Sequence, residues 1–297
     1  MDVVVTGARG FLGRHLQAAL EARGDYVLDI DVDPDQECNR DALEFFRDDP
    51  HMWDLAIHCA AVEPHRSAID GRALAVGAGN LELDAAMFGW AARVHPGRLV
   101  YLSSSAAYPV YLQTGDYRVP LREHDTWEQP GEADAIYGAV KVMGERLARL
   151  YREQGGAVTV VRPFSGYGED QSSDFPFGAF RDRARRREDP FVVWGDGTQV
   201  RDWIHVDDVV GAVLAAVDAA VDGPVNIATG IGTSMAELAE MFCAQVGYDP
   251  PFEYLTDRPA GVAYRVGDPT VLNEFYRPKV TLAEGVKRAL ARQPVNM

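Results

Sequence analysis

Tyr137 and Lys141, in Tyr137-Gly138-Ala139-Val140-Lys141, are the pair in this chain best suited to moving a proton. On a helix, a spacing of four sets a phenol and an ammonium side by side. A neighbouring ammonium stabilises a phenolate and draws a phenol from its ordinary pKa of about 10 toward neutrality, which makes it a usable general acid or base. The chain has 12 tyrosines but only three lysines (Lys141, Lys279, Lys287), so the pairing seldom arises by chance. An exposed i,i+4 pair on an ordinary helix is the alternative use of the same spacing. Upstream, Ser103-Ser104-Ser105-Ala106-Ala107-Tyr108 follows the apolar run Leu99 to Leu102. A hydroxyl at the carboxyl end of a strand can hydrogen-bond a substrate oxygen and relay its proton, although three serines are also a common way to open a loop.

A second constellation suits an anion. Gly7-Ala8-Arg9-Gly10-Phe11-Leu12-Gly13 sets glycines at G-x-x-G-x-x-G, between the apolar run Val3-Val4-Val5 and a helix-period segment carrying Leu12, Leu16, Ala19 and Leu20. The first glycine permits a tight turn, the second lets the backbone approach a pyrophosphate, and the third packs helix on strand. The helix start then offers free N–H groups to the anion. Asp31 closes a second strand, near the separation expected of a carboxylate on the adenosine ribose hydroxyls. A carboxylate there repels a 2′-phosphate and so favours NAD over NADP. Asp29, on the same strand face, competes for that role, a solvent-facing strand end would account for both, and Arg9 keeps NADP open.

The elements that must hold these groups alternate. Val3–Val5, the helix ending at Gly24 and Tyr26–Asp31 make a βαβ unit, which implies a parallel sheet. Strands at Leu55–Cys59, Leu99–Ser103 and Val158–Arg162 alternate with helices at Leu81–Arg93 and Ala133–Gln154, giving a doubly wound α/β (Rossmann) domain. Within Ala133–Gln154 the apolar set Ile136, Val140, Met143, Leu147 and Leu150 is expected to be buried, leaving Tyr137 and Lys141 beside it to face a cleft. Beyond Arg162 the elements shorten and Pro, Gly and aromatic residues become frequent. The expected division is a dinucleotide-binding domain over 1–165 with a returning segment near 204–222, and a smaller substrate-binding lobe over 166–297. The basic cluster Arg181 to Asp189 is interrupted by acids and reads as a solvated helix face.

Composition narrows the partners. With 297 residues, 47% hydrophobic and 25% charged, the chain has the make-up of a soluble globular protein. A net charge of −16 argues against nucleic acid or an anionic membrane as partner, and any anionic ligand must meet locally placed arginines. Cys38, Cys59 and Cys243 lack disulfide or zinc spacing, which fits a reducing cytosol and no metal. The N-terminus has no signal-peptide character, and the longest apolar run, Val209–Val217, is far too short for a membrane span, so a cytoplasmic location is expected.

Taken together, Thr6–Gly13, Asp31, Ile57-His58-Cys59-Ala60-Ala61, Ser103–Tyr108, Tyr137–Lys141, Arg162-Pro163-Phe164, Arg201–Asp208 and Arg258-Pro259 resemble the extended short-chain dehydrogenase/reductases of the nucleotide-sugar epimerase/dehydratase family. The resemblance implies NAD held by Gly7, Arg9, Gly10, Phe11, Leu12, Gly13, Asp31, Ala60, Tyr137 and Lys141. It also implies catalysis by Ser104, Tyr137 and Lys141, with Ser105, Arg201 and Arg258 on a nucleotide-diphosphate sugar, and a homodimer through the helices at Leu81–Arg93 and Ala133–Gln154. Counting back four from Tyr108 selects Ser104 as the catalytic hydroxyl, whereas counting forward from the strand selects Ser105; Ser104 is preferred. Salt bridging within the lobe is the other use of Arg201 and Arg258. His205 and Asp207 read as structural, and Phe175-Pro176-Phe177 as core packing or base-pocket lining. Family dehydratases carry an Asp-Glu pair where this chain has Ser105-Ala106, and Ser165 replaces an asparagine usual after Arg-Pro-x. The function so implied is an NAD-dependent epimerase acting at C4 through a transient 4-keto sugar. A 4-keto-sugar reductase, a dehydratase or decarboxylase, and a non-catalytic dinucleotide sensor are the rivals.

Overall fold

A computed structural model describes residues 1–32, 41–62, 71–116, 118–129 and 131–291; Cys38 lies outside them. In chain order the elements are β1 (Asp2–Thr6), α1 (Phe11–Arg23), β2 (Tyr26–Ile30), α2 (Ala42–Asp48), β3 (Leu55–His58), α3 (Ala73–Val94), β4 (Leu99–Leu102), α4 (Asp125–Glu128), α5 (Ala135–Glu153) and β5 (Val158–Pro163). There follow β6 (Ser165–Tyr167), α6 (Pro176–Arg186), β7 (Phe191–Trp194), β8 (Val200–His205), α7 (Val206–Asp218), β9 (Gly223–Ile227), β10 (Gly232–Ser234), α8 (Met235–Val246), β11 (Phe252–Leu255), β12 (Tyr264–Arg265) and α9 (Leu282–Ala291).

The main sheet is parallel throughout, in the order β2-β1-β3-β4-β5-β9. Its strands are short apolar runs because both faces are covered. Alternation along β1 shows how: Val3 and Val5 join Leu16, Leu20, Val209 and Val213 under α1 and α7, while Val4 joins Met87, Trp90, Tyr101 and Ala148 under α3 and α5. Gly24, with φ 90°, ends α1 through N–H bonds to the carbonyls of Leu20 and Glu21. Because β2 and β3 flank β1 on opposite sides, the chain reverses direction across the sheet there, the point at whose carboxyl ends open α/β sheets bind their ligands.

The remaining strands build smaller sheets, β10-β8-β12 with β6 on β8, and β11-β7. With α6, α8 and α9 they enclose an aromatic core that includes Phe177, Phe180, Phe191, Trp203 and Phe242. Phe177, fully buried, fills this core.

Two expectations are corrected. Of the stripe expected to be buried on α5, Val140 is buried and Leu147 packs on the core, but Ile136, Met143 and Leu150 are 39%, 44% and 48% exposed. The helix instead buries Gly138, Val140, Lys141, Gly144, Ala148 and Tyr151, since its small residues permit close approach to the sheet and α3. The basic cluster is likewise not simply solvated. Arg181 is buried and donates to the carbonyls of Glu169 and Gln171, and Arg185 donates to that of Ala289. Among the described residues no helix is long and apolar enough to cross a membrane.

Candidate active site

The turn after β1 closes tightly on itself and on the end of β3 because of its glycines. Gly7 adopts φ 69°, and a Cβ on it would lie 2.5 Å from the Ala60 nitrogen; one on Gly13 would overlap the Gly7 carbonyl. Ala60 is brought there because the Cys59 N–H continues the ladder to the Thr6 carbonyl at 2.9 Å. Gly10 precedes the first turn of α1 and supplies no side-chain cap, leaving that turn's N–H groups to face an anion. Asp31 is fixed at the rim: Oδ2 accepts from the Arg9 N–H and Oδ1 from that of Val32, both at 2.7 Å. The Arg9 guanidinium reaches Asp29 at 3.4 Å. Phe11 stands edge-on to His15, and Leu12 packs on the sheet core. A tight glycine turn, open helix N–H groups and a carboxylate just beyond β2 together fit a dinucleotide.

Beside this turn, β4 ends in the three serines. Ser103 and Ser105 are buried, whereas Ser104 is partly exposed. Ser103 donates to Glu145 at 2.5 Å, and the Ser104 hydroxyl accepts from the Ala106 N–H at 3.1 Å, capping a 3₁₀ turn over Ser105–Ala107. Helix α5 enters against that turn. The Asp134 N–H donates to the Ala106 carbonyl at 3.0 Å, and a Cβ on Gly138 would overlap the same carbonyl. Ala135, at φ 58°, holds a left-handed conformation that costs a non-glycine residue energy, two positions before Tyr137. Tyr137 is half-buried, and one turn further Lys141 is 2% exposed, its Nζ 5.7 Å from the Tyr137 ring centre and 4.9 Å from that of Tyr101.

Three residues around Lys141 were assigned no role from the sequence. Asp84 on α3 is 3% exposed; its Oδ2 accepts from the Tyr101 hydroxyl at 2.5 Å, and its Oδ1 lies 3.9 Å from Lys141 Nζ and 3.4 Å from His58 Nε2. His58 Nδ1 pairs with the Thr6 hydroxyl at 2.7 Å. Burial works against the Asp84 charge, but Lys141, His58 and Tyr101 outweigh it and hold the carboxyl below the ordinary range. Burial pushes His58 below the usual histidine value and, with Asp84, lifts Tyr101 well above the usual phenol. Burial also pushes the Cys59 thiol up to about 12, so it is no nucleophile. A signal for Asp84 did exist: it shares a helix face with buried Met87, Phe88 and Ala91.

On the lobe side, Arg201 lies on β8, mostly buried, donating to the carbonyls of Val200 and Ala260. Arg258 is exposed, its guanidinium 5.7 Å from the Trp194 ring centre. His205 caps α7, its Nδ1 accepting from the Asp207 N–H. Arg265 of β12, another residue missed from the sequence, donates to Gln113 and to Asp134 at 2.7 Å, tying the lobe to the start of the helix that carries Tyr137.

A family model described as the NAD dependent epimerase/dehydratase family matches residues 3–232. The chain is 28% identical to GDP-mannose 3,5-epimerase of Arabidopsis thaliana over 97% of its own length and 80% of that protein. It is 29% identical to a Streptomyces dTDP-4-dehydro-6-deoxy-D-allose reductase, covering 92% of this chain and 89% of the other. Among solved structures, UDP-glucose 4-epimerase of Thermotoga maritima with UDP-glucose superposes with a TM-score of 0.83 at 25% identity, over 98% of this chain and 97% of that one.

Proposed function

The chain belongs to the NAD dependent epimerase/dehydratase family, and on that premise we propose that it is an epimerase of a nucleotide-activated hexose or uronic acid, inverting C4 through a transient 4-keto sugar. The observation that carries this reading is the buried Lys141 beside half-buried Tyr137, both brought by Gly138 against the Ser104 turn. NAD, when bound, supplies the redox step at the sugar carbon. It would be held by the glycine cradle from Gly7 to Gly13 with Arg9, Phe11 and Leu12, by Asp31 at the adenosine ribose, by Ala60, and by Tyr137 and Lys141 at the nicotinamide end.

Tyr137 takes the proton of the C4 hydroxyl and later returns it, and Lys141 sustains the phenolate. Ser104, the one partly exposed hydroxyl of its trio, orients the substrate oxygen, with Ser105 behind it. The ketone turns about its diphosphate, which Arg258 and Arg201 hold, and presents its other face. No acid lies in the Ser104–Tyr108 turn to expel a C6 hydroxyl, which disfavours dehydration. Helices α3 and α5 pack together and leave Leu74, Leu81, Ile136, Met143 and Leu150 exposed, a face suited to the same helices of a second copy.

The kinship with a 4-keto-sugar reductase favours a second reading, reduction of a nucleotide 4-keto sugar on the same residues. Incubating the purified protein with a panel of nucleotide sugars and no added cofactor separates the two. Equilibration of C4 epimers supports the epimerase; turnover only in the presence of stoichiometric reduced cofactor supports the reductase.

A further inference from the structure

We propose that Asp84 is a positioning residue that keeps Lys141 an ammonium and fixes its place beneath Tyr137. The inference rests on Tyr137–Lys141 being the acid–base pair, but its test does not require substrate.

An ammonium as buried as Lys141 needs a compensating anion, because burial disfavours the charged form. The groups that face it come from four elements. Asp84 on α3 lies at 3.9 Å, and the Tyr101 ring of β4 and the Tyr137 ring of α5 at 4.9 and 5.7 Å. His58 of β3 and Cys59 beyond it complete the surroundings and feel its charge. Burial keeps His58 neutral and the Cys59 and Tyr101 side chains protonated, and Tyr101 spends its proton on Asp84. Glu145, one turn along α5, is already claimed by Arg162. Among the described residues, Asp84 is therefore the anion left to balance Lys141 while Tyr137 holds its proton.

Its geometry suits that task. The Tyr101 hydroxyl anchors Oδ2, and Gly144 makes room for that phenol, since a Cβ there would overlap it. The other oxygen, Oδ1, lies 3.4 Å from His58 Nε2 and stops at 3.9 Å from Nζ, beyond hydrogen-bond length. The carboxylate thus supplies its field without consuming an N–H of Lys141, so those donors stay available to a ligand.

The chain's three lysines make the test direct, because lysine labelled with ¹³C at Cε gives three signals, and exposed Lys279 and Lys287 serve as references in the same sample. The Lys141 signal is read against these two references in the wild-type protein and in Asp84→Asn. In Asp84→Asn it is expected to turn to the neutral amine about two pH units or more below them. Joint titration of all three lysines in Asp84→Asn overturns the inference, as does early titration of Lys141 in the wild type. Should Asp84→Asn fail to fold, Tyr101→Phe keeps the carboxylate while removing its anchor. Lys141 must then stay an ammonium, and its early loss of charge overturns the inference. Joint titration in Asp84→Asn alongside an inactive Tyr137→Phe removes Asp84 from the account and leaves the acid–base pair standing. A shifted Lys141 alongside a fully active Tyr137→Phe removes the pair instead.

Discussion

Helix α5 carries two buried ion pairs one turn apart, and they are built to opposite specifications. Arg162, fully buried, grips Glu145 with Nε at 2.7 Å and Nη2 at 2.5 Å, and its other N–H groups go to the Tyr108 hydroxyl, the Glu123 carbonyl and Thr126. Ser103 adds a further bond to the same carboxylate. Lys141 and Asp84 face each other at 3.9 Å with no direct hydrogen bond. A saturated, bidentate pair fixes two elements together and has nothing left to offer a ligand. An unsaturated one keeps a charge and its donors in readiness. The difference separates the part of α5 that holds the fold from the part proposed to meet substrate.

That contrast can be broken experimentally. Tyr137→Phe is expected to cut turnover by about 10²- to 10⁴-fold while the protein keeps its NAD, as read by steady-state rates and cofactor content. Lys141→Met is expected to fall in the same range and to destabilise the fold by stranding the Asp84 carboxylate, but by less than the loss of a saturated pair, because Asp84 has no direct hydrogen bond to Lys141 and keeps the one from Tyr101. Arg162→Met should cost more, about 3–5 kcal/mol of stability, by stranding Glu145 and the groups around it, measured as a lowered denaturation midpoint. Equal stability losses in the two methionine variants would erase the distinction between the pairs.

A smaller effect sharpens it through pH. Because burial holds His58 below its ordinary value, the unfolded chain takes up a proton on this residue that the native state refuses. The contribution of neutral His58 is present in full above about pH 6.5 and is lost as pH falls below it, by at most about 1.4 kcal/mol per pH unit. Asp84, held below the ordinary carboxylate range, gives up its share only below about pH 4. His58→Gln should therefore flatten the loss of stability between pH 7 and about pH 5.5, which urea midpoints at the two values would show. Smallest of all, Asp31→Asn should narrow the preference for NAD over NADP, measured as the ratio of their dissociation constants, because a neutral amide no longer repels a 2′-phosphate.

What the sequence disclosed is local. The glycine turn and the Tyr137–Lys141 pair each lie within a few consecutive residues, where type and spacing carry the chemistry, and the alternating apolar runs carried the parallel sheet. What it concealed depends on tertiary contact. Asp84, Tyr101 and His58 come from α3, β4 and β3 and meet only when those elements stack. Arg265 reaches Asp134 from across the chain. Strand β9 was hidden because Pro224 weakens its strand signal, and it is tolerated because β9 forms the sheet's edge. The apolar residues on α5 misled in the opposite sense: helical periodicity marks an apolar face without saying whether the chain itself covers it.

The central claim is oxidation and re-reduction at C4 with Tyr137 handling only the hydroxyl proton, and turnover in deuterium oxide followed by NMR of the sugar tests it most directly. The C4 hydrogen then leaves and returns without meeting solvent, so the account predicts C4 epimers free of carbon-bound deuterium. Deuterium appearing at C3 or C5, the carbons acidified by a neighbouring ketone, would contradict it.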